Sequence, residues 1–444
     1  MAATRELRRQ LGLLDATAIN LGTMIGSGIF IVPATIALAL PATGPILTVW
    51  IVGGLVSLLG ALCLAELGGA YPAAGGMFVY LREAFGPTWG YLYGWTTAIV
   101  INPASIAAIA VGFATYAGFF VPLSPWGVKA VAVGSIVLLT ALNSVGVRAG
   151  ATTQNAFTLL KVALLVGLVG AVVFLPGGGP SNFLPLWAAE GHSLAAFGVA
   201  TVAVLWAYDG WIEITYVGSE VRDPGRIVPR SILLATALAI GLYTLVTLAF
   251  LYVLSPARTA ASVLPASDAA RVTMGPVGAG LVAIAIMIST LGANNGIILT
   301  SARIPYAMSR GGLFLPSVGR IHPRYGTPVV SLVQQAFVAS ALAVSGTYDQ
   351  LFTYVVFASW VFYALGAGAV LRLRRAAPAL ERPYRAWGYP VTPLVFIAFA
   401  IYLVTTTIVQ APRDAAVGVA LIAAGLVPYA HWRRRGSDTE RVSP

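Results

Sequence analysis

The chain alternates between long apolar stretches and short polar connectors over most of its length. A helix needs roughly 20 apolar residues to cross the hydrocarbon core of a bilayer, and about twelve stretches of this chain are long enough. We therefore predict an all-α polytopic membrane protein with about twelve transmembrane helices. The predicted spans cover residues 11–39, 44–70, 86–118, 126–144, 154–175, 193–220, 228–254, 273–302, 328–346, 350–371, 391–410 and 414–432.

The first and the sixth stretch each contain residues that unwind helices, Gly26-Ser27-Gly28 in one and Tyr208-Asp209-Gly210 in the other. Within hydrocarbon an unpaired peptide group costs several kcal/mol, so a broken helix persists only where protein or a bound ligand satisfies the freed groups. Glycines also serve close helix packing in membranes, which is the plainer interpretation of the first break alone. Two corresponding breaks in one chain instead favour a substrate site between them.

The two broken stretches are five spans apart along the chain. Because five is odd, a second copy of a five-helix unit must enter the membrane from the opposite side, which predicts inverted repeats. We expect the first repeat at residues 11–175 and the inverted second repeat at residues 193–375, within a single transmembrane domain of residues 1–444. The two extra helices at residues 391–432 are predicted to serve packing or oligomerisation.

Composition supports the membrane class, because 58% of the residues are hydrophobic and only 9% are charged. The net charge of +11 does not indicate a nucleic-acid partner, since the basic residues lie mainly in alternate connectors. That distribution follows the positive-inside rule and predicts that both termini are cytoplasmic. No cleavage pattern follows the first span, so we expect it to be retained. The Ala- and Arg-rich, Lys-poor composition favours the inner membrane of a bacterium.

Enzyme chemistry finds no support in the sequence. The three histidines, His192, His322 and His431, lack the spacing of metal ligands, and neither a nucleophile motif nor a nucleotide-binding motif is present. The single cysteine, Cys63, lies in the second span and cannot form an intramolecular disulfide. We therefore expect no enzymatic activity, no metal and no cofactor. A channel is equally unsupported, because no selectivity pattern recurs.

A broken helix offers amide hydrogens at the start of one half-helix and carbonyl oxygens at the end of the other, and these suit opposite charges. A carboxylate would accept hydrogen bonds near Ser27 and Gly28, and an ammonium would donate to carbonyls near Met24 and Trp206. A ligand with both charges on one carbon is an α-amino acid. The predicted substrate-binding residues are Ile25, Gly26, Ser27, Gly28, Ile29, Trp206, Ala207, Tyr208, Asp209 and Gly210.

Several motifs, taken in their order and spacing, resemble those of one transporter family. The chain is similar over most of its first ten spans to the L-type amino acid transporter branch of the amino acid, polyamine and organocation superfamily. The motifs that carry this resemblance are Gly26 to Phe30, Pro103-Ala104-Ser105, Gln154 to Phe157, Ala207 to Trp211 and Asn295 to Arg303.

The resemblance implies a fold of inverted five-helix repeats and the movement of L-amino acids by alternating access. We expect neutral substrates, with cationic amino acids or polyamines as the alternative transport function and a non-transporting amino acid sensor as the alternative class. Exchange, facilitated and proton-coupled transport are all compatible with the residues. Asn102 stands where the branch usually has arginine, which predicts a difference in substrate preference or gating. Eukaryotic members pair with a glycoprotein through an external cysteine, so this chain is expected to have no disulfide-linked subunit and to act as a monomer or homo-oligomer.

Lys161 is the most informative single charge, because ionisable groups inside a membrane are functional by default. Placed about seven residues into the fifth predicted span, it could instead extend to the nearby headgroups. The resemblance implies that its ammonium occupies the position where sodium-coupled relatives of the fold bind a cation. Sodium-independent transport follows from that interpretation, whether the ammonium exchanges a proton or remains a fixed cation.

Four further residues have predicted roles near the breaks. Trp206 is expected to close over the substrate, and Asp209 is expected to cap a half-helix that begins at Gly210, with an ammonium contact as the alternative. The hydroxyl of Tyr243 is expected to link to the unwound region or to a neighbouring helix. Asn295 is a candidate for coupling or support of the site, or else joins helices together.

Three carboxylates lie toward the inner ends of the second and sixth spans, namely Glu66, Glu213 and Glu220. Cytoplasmic arginines are within plausible reach of all three in sequence. We expect ion pairs of an inner gate, with plain interface charge as the alternative interpretation.

Overall fold

The computed structural model describes residues 7–187, 193–345 and 348–440, with side chains except at 348–354 and 435–440. His192 therefore lies outside the described residues. The described part of the chain consists of helices, connecting segments and three isolated backbone bridges, and it contains no strand. Within these described ranges, ten helices are long and apolar enough to cross a membrane, and two shorter apolar helices complete the predicted set. The prediction of an all-α polytopic membrane protein is confirmed.

We number the spans in chain order and divide the two broken ones. Span 1 comprises half-helices 1a, Leu13–Met24, and 1b, Gly28–Ala39, and span 6 comprises 6a, Leu194–Tyr208, and the short 6b, Glu213–Tyr216. The others are span 2 Thr43–Ala70, span 3 Pro87–Ala117, span 4 Pro125–Ser144, span 5 Val147–Phe174, span 7 Pro224–Val253, span 8 Pro265–Ser301, span 9 Val329–Ser345, span 10 Tyr348–Ala376, span 11 Val391–Gln410 and span 12, which joins Pro412–Ala424 to Leu426–Glu440.

The spans differ in how far their surfaces are enclosed. Spans 1 and 3 have the largest share of buried residues among those long enough to cross a membrane, whereas spans 4, 5 and 12 have the smallest. The broken helices lie at the centre of the bundle, because peptide groups freed by a break inside a membrane must be covered by other helices. The boundaries of the two repeats, 11–175 and 193–375, stay a prediction.

Span 3 is widened where it passes the centre of the bundle. Residues Thr97–Ile101 form a π-helical turn, and Asn102–Ala117 continue as α-helix. Pro103 has no amide hydrogen and cannot donate to the carbonyl of Ile99, so the ordinary hydrogen-bond ladder is interrupted there. Such π-helical turns occur frequently at functional sites.

One end of the bundle carries most of the arginines, and we call it the arginine-rich end. It comprises residues 7–12, 71–86, 145–148, 217–230, 302–328 and 372–390. Here the segment before span 1 pairs with the segment after span 6, since the amide of Leu11 donates to the carbonyl of Glu220 (3.0 Å) and the amide of Arg222 donates to the carbonyl of Leu11 (2.9 Å). Backbone pairing across the two broken spans closes this end.

Two ion pairs reinforce the closure. The guanidinium of Arg303 donates to Glu220 at 2.7 and 3.1 Å, with both side chains fully buried. Glu66 binds Arg374, with nitrogen to oxygen distances of 2.5 and 2.9 Å, and Arg382 at 3.3 Å. The predicted ion pairs are confirmed for Glu66 and Glu220. The prediction was wrong for Glu213, which accepts a hydrogen bond from the hydroxyl of Thr300 instead.

Replacing Glu220 with glutamine is expected to lower the free energy of unfolding by about 2 kcal/mol, because it weakens two charge-assisted hydrogen bonds to a buried guanidinium. Unfolding in mixed micelles with rising sodium dodecyl sulfate measures this. Glu83→Gln is the matched control, since Glu83 pairs with Arg82 at an exposed position (35% and 40% side-chain exposure) and should contribute less than about 1 kcal/mol. Equal losses in the two variants would contradict the prediction.

Candidate functional site

The first break separates half-helices 1a and 1b over three residues. Half-helix 1a ends at Met24, and Ile25 leaves the helical conformation with φ −77° and ψ 75°. In 1b the amide of Phe30 donates to the carbonyl of Ser27 at 3.1 Å. The amides of Gly28 and Ile29 precede that bond, so they stand at the positive end of the half-helix.

The second break is longer and leaves only a short half-helix. Half-helix 6a ends at Tyr208, Asp209 is extended with ψ 149°, and Gly210 adopts φ +112°, which favours glycine. Half-helix 6b begins at Glu213 rather than at Gly210, and the amide of its second residue, Ile214, donates to the side-chain oxygen of Asn20 at 2.9 Å, not to Asp209. The predicted cap by Asp209 was therefore wrong, because the turn at Gly210 delays the helix by three residues.

The two breaks lie directly against each other. A Cβ atom on Gly28 would stand 2.8 Å from the Cα of Ala207, and one on Gly210 would stand 2.8 Å from the hydroxyl oxygen of Thr23. The same hydroxyl donates to the carbonyl of Gly210 at 3.1 Å. Glycine is required at both positions because the backbones of spans 1 and 6 touch there.

Gly28→Ala is expected to lower the free energy of unfolding by about 1–3 kcal/mol, because the added methyl group would overlap backbone rather than a flexible side chain. Gly26→Ala is the matched control two residues away, since a Cβ there would meet the Cβ of Ala293 at an ordinary 3.5 Å. Thermal unfolding of both purified variants in the same detergent compares them. If Gly28→Ala unfolds at the same temperature as Gly26→Ala, spans 1 and 6 move apart readily to accept the methyl group, and the prediction is wrong.

A cavity of about 40 Å³ lies between the breaks. It contains six of the ten predicted substrate-binding residues, whereas Ile25, Ile29, Ala207 and Tyr208 do not line it. The ring of Tyr208 packs instead against the rings of Tyr243 and Trp50, at centroid distances of 5.0 and 5.9 Å. The cavity is lined by Thr23, Met24, Gly26, Ser27, Gly28, Ile101, Asn102, Ser105, Ile109, Trp206, Asp209, Gly210, Glu213, Tyr216, Ile297 and Tyr363.

Two carboxylates face this cavity, and its lining includes no basic side chain among the described residues. Tyr363 donates its hydroxyl hydrogen to Asp209 at 2.6 Å, and Thr300 donates to Glu213. Glu213 was missed as a cavity residue because it was assigned to the inner gate. A second carboxylate four residues after Asp209, inside a membrane span, was the sequence signal that could have identified it.

Lys161 does not line the cavity. It binds the first break on the side away from the cavity. Its ammonium donates to the carbonyls of Gly22 at 2.7 Å, Ile25 at 2.9 Å and Ser289 at 2.9 Å. The side chain is 1% exposed, so the interpretation that it extends to the headgroups was wrong. Three carbonyl acceptors match the three hydrogens of an ammonium.

Tyr243 of span 7 joins the two breaks through one hydroxyl group. Its oxygen lies 2.6 Å from the carbonyl oxygen of Met24 and 3.0 Å from that of Ala207. Met24 ends half-helix 1a and Ala207 lies in the last turn of 6a, so the hydroxyl hydrogen is shared between two carbonyls freed by helix breaks. The predicted contact with the unwound region is present.

Asn295 is placed away from the cavity, in a buried network of amide side chains. It donates to Gln154 at 2.9 Å and to the carbonyl of Gly150 at 3.2 Å, and it accepts from Asn143 at 2.9 Å. These bonds connect span 8 to spans 4 and 5. Gln154 and Thr158 then reach the carbonyl of Ala18 in half-helix 1a at 3.4 and 2.9 Å.

The sequence profile of the family described as amino acid permease matches residues 11–430. The chain belongs to the amino acid permease family. It is a secondary transporter of amino acids and not an enzyme, which confirms the resemblance given by its motifs. The multi-pass membrane protein described above is therefore a permease.

Curated relatives align over nearly the whole permease. It is 33% identical over 436 residues to the b(0,+)-type amino acid transporter 1 of Mus musculus, covering 96% of this chain and 88% of the relative. It is 29% identical over 444 residues to the serine/threonine exchanger SteT of Bacillus subtilis (strain 168), covering 97% and 98%. It is 30% identical over 459 residues to the Asc-type amino acid transporter 1 of Homo sapiens, covering 98% and 85%.

Proposed function

We propose that the permease exchanges small neutral L-amino acids across the membrane by alternating access, without sodium. The observation that carries this proposal is the cavity bounded by both helix breaks, where the start of half-helix 1b and the carboxylate of Asp209 face one ligand. The relative from Bacillus subtilis is a serine/threonine exchanger, which supports both the small size of the substrate and the exchange mode.

The substrate carboxylate binds at the start of half-helix 1b, where the amide of Gly28 and the positive end of the helix dipole meet it. The substrate ammonium binds Asp209. The carbonyls of Met24, Ile25 and Ala207, expected to hold the ammonium, already accept hydrogen bonds from Tyr243 or Lys161. Asp209 therefore supplies the negative charge that binds the substrate ammonium in place of those carbonyls.

The substrate side chain lies among Ile101, Ile109 and Ile297, with Ser105 and Asn102 as polar neighbours. This narrow part of the cavity, bounded by isoleucines, favours a short side chain, with a hydroxyl able to reach the polar neighbours. Serine, threonine and alanine fit this description.

Sodium independence is supported by the contacts of Lys161. Its ammonium occupies the space among three carbonyls contributed by spans 1 and 8. A metal cation at this place would need the same carbonyl oxygens as ligands. We propose that the lysine acts there as a fixed cation that holds half-helix 1a in place.

The arrangement in the membrane follows from charge. We propose that the arginine-rich end and both termini face the cytoplasm of a bacterium whose inner membrane holds the permease. The only cysteine, Cys63, is buried, which supports a permease without a disulfide-linked partner subunit, as monomer or homo-oligomer.

Uptake of radiolabelled amino acids into proteoliposomes tests the proposal. Serine, threonine and alanine are expected to enter only vesicles that contain unlabelled amino acid, at rates unchanged when potassium replaces sodium. Uptake that requires sodium would contradict the assigned role of Lys161. If the folded and inserted protein transports none of the amino acids, the result would favour the alternative function, a non-transporting amino acid sensor.

A cationic amino acid is the second candidate, favoured by the two carboxylates that face the cavity without a basic neighbour. Lysine and arginine in the same uptake panel separate the two functions. If the substrate is cationic, Glu213→Gln is expected to reduce uptake of lysine more than tenfold, since a second charge partner is lost. If the substrate is neutral, the same variant should still transport serine, because Gln can accept from Thr300 as Glu213 does.

A further inference from the structure

A second, larger cavity opens at the arginine-rich end and shares no lining residue with the substrate site. Its volume is about 540 Å³. Three arginines line it, Arg8, Arg148 and Arg324, and no carboxylate does so among the described residues. A site with this charge attracts anions.

Three separate parts of the chain build this cavity. Arg8 lies in the segment before span 1, Arg148 lies in the first turn of span 5, and Arg324 lies in the connector between spans 8 and 9. The connector is anchored to the end of span 4, since the hydroxyl of Thr327 donates to the carbonyl of Ser144 at 2.7 Å. The arginines are therefore carried by fixed backbone rather than by one flexible loop.

The positive charge of the cavity is not neutralised from nearby. None of its three arginines forms an ion pair with a carboxylate in the described part of the chain. A smaller cavity of about 200 Å³ shares Arg148 and adds Arg222 and Asp15. Asp15 accepts from the amide of Gly12 at 2.8 Å and from Asn155 at 2.6 Å, and it forms no ion pair with an arginine among the described residues.

We propose that this cavity binds the phosphate headgroup of an anionic phospholipid. Guanidinium groups match phosphate oxygens in paired hydrogen bonds, and the amide end of span 5 at Val147 adds its positive dipole end. Basic cavities between helices at a membrane face suit lipid headgroups. A lipid is favoured over free phosphate because Val145, beside the cavity, is 56% exposed and continues into the exposed apolar surface of span 4.

The bound headgroup has a mechanical consequence. It bridges the segment before span 1 to span 5 and to the connector after span 8, next to the backbone pairing between Leu11 and Glu220. The lipid therefore stabilises the closed arrangement of the arginine-rich end.

Native mass spectrometry of the full-length permease, released from nanodiscs of equal parts phosphatidylcholine and phosphatidylglycerol, tests the site. The wild type is expected to retain phosphatidylglycerol in preference to phosphatidylcholine. The triple variant Arg8→Gln, Arg148→Gln, Arg324→Gln is expected to weaken retention about a hundredfold, at about one kcal/mol for each arginine. The matched control is the triple variant Arg230→Gln, Arg375→Gln, Arg385→Gln, which removes exposed arginines that do not line the cavity.

Each result decides something about the proposal. Loss of phosphatidylglycerol from the first triple variant alone supports the site. Equal loss from both variants would show attraction by overall charge and overturn it. A parallel arm adds inorganic phosphate to the protein in detergent: retention of phosphate that depends on the same arginines, without retention of lipid, would assign the cavity to a free anion and overturn the lipid.

Discussion

Replacement of Lys161 by methionine is expected to reduce amino acid uptake at least a hundredfold while the helices remain folded. The ammonium satisfies carbonyls of Gly22 and Ile25 at the end of half-helix 1a and of Ser289 in span 8. Methionine fills similar volume but donates no hydrogen bond. The carbonyl of Gly22 would lose its ammonium donor at roughly 1–3 kcal/mol, whereas that of Ile25 keeps the hydroxyl of Ser289 at 2.9 Å, and the break would lose the group that joins it to spans 5 and 8.

The measurement combines uptake into proteoliposomes with substrate binding to the purified protein. We expect both to fail in Lys161→Met, since the cavity depends on the position of half-helix 1a. Lys129→Met is the matched control because Lys129 is the other lysine of the chain and lies over the ring of Trp126 at 4.8 Å, remote from the breaks. Wild-type exchange in Lys161→Met would show that the carbonyls find other donors and that the fixed cation is dispensable.

The position of Lys161 shows where sequence reasoning misjudged depth. The fifth span was predicted from residue 154, which placed the lysine close to the membrane face. The helix begins at Val147, so Lys161 lies fourteen residues into it, about 21 Å along the axis. Gln154, where the predicted span began, is buried together with Thr158, and both side chains bind half-helix 1a.

The sequence alone could have predicted which side of half-helix 6a faces the cavity. Residues three apart share one face of a helix, whereas residues two apart do not. Trp206 and Asp209 both line the cavity, and Tyr208 points to span 2 instead. Helical periodicity applied up to the break would have removed Tyr208 from the predicted site.

The partners of the site depend on packing that no local pattern reveals. Tyr363 reaches Asp209 from span 10, 154 residues further along the chain. The positions of the glycines predicted both breaks correctly, because only glycine tolerates the close approach of the backbone of Ala207 at Gly28 and the positive φ at Gly210. The length of half-helix 6b was not predictable, since it depends on where neighbouring helices cover the freed peptide groups.

Tyr243→Phe is expected to lower exchange about tenfold, chiefly through weaker apparent affinity for the substrate. The hydroxyl is shared between the carbonyls of Met24 and Ala207, one from each break, so its loss removes a direct link between spans 1 and 6. A buried carbonyl without its donor costs about 1–3 kcal/mol, and 1.4 kcal/mol corresponds to a factor of ten in the population of the binding-competent arrangement.

Tyr208→Phe is the matched control, because the two tyrosine rings lie 5.0 Å apart in the same aromatic cluster with Trp50. The hydroxyl of Tyr208 is buried and has no hydrogen-bond partner among the described residues, so its removal costs nothing. Concentration-dependent exchange in proteoliposomes is the measurement. A raised KM in Tyr243→Phe alone would establish that its hydroxyl positions both breaks, whereas equal behaviour of the two variants would mean that the aromatic packing, not the shared hydrogen bond, holds the half-helices together.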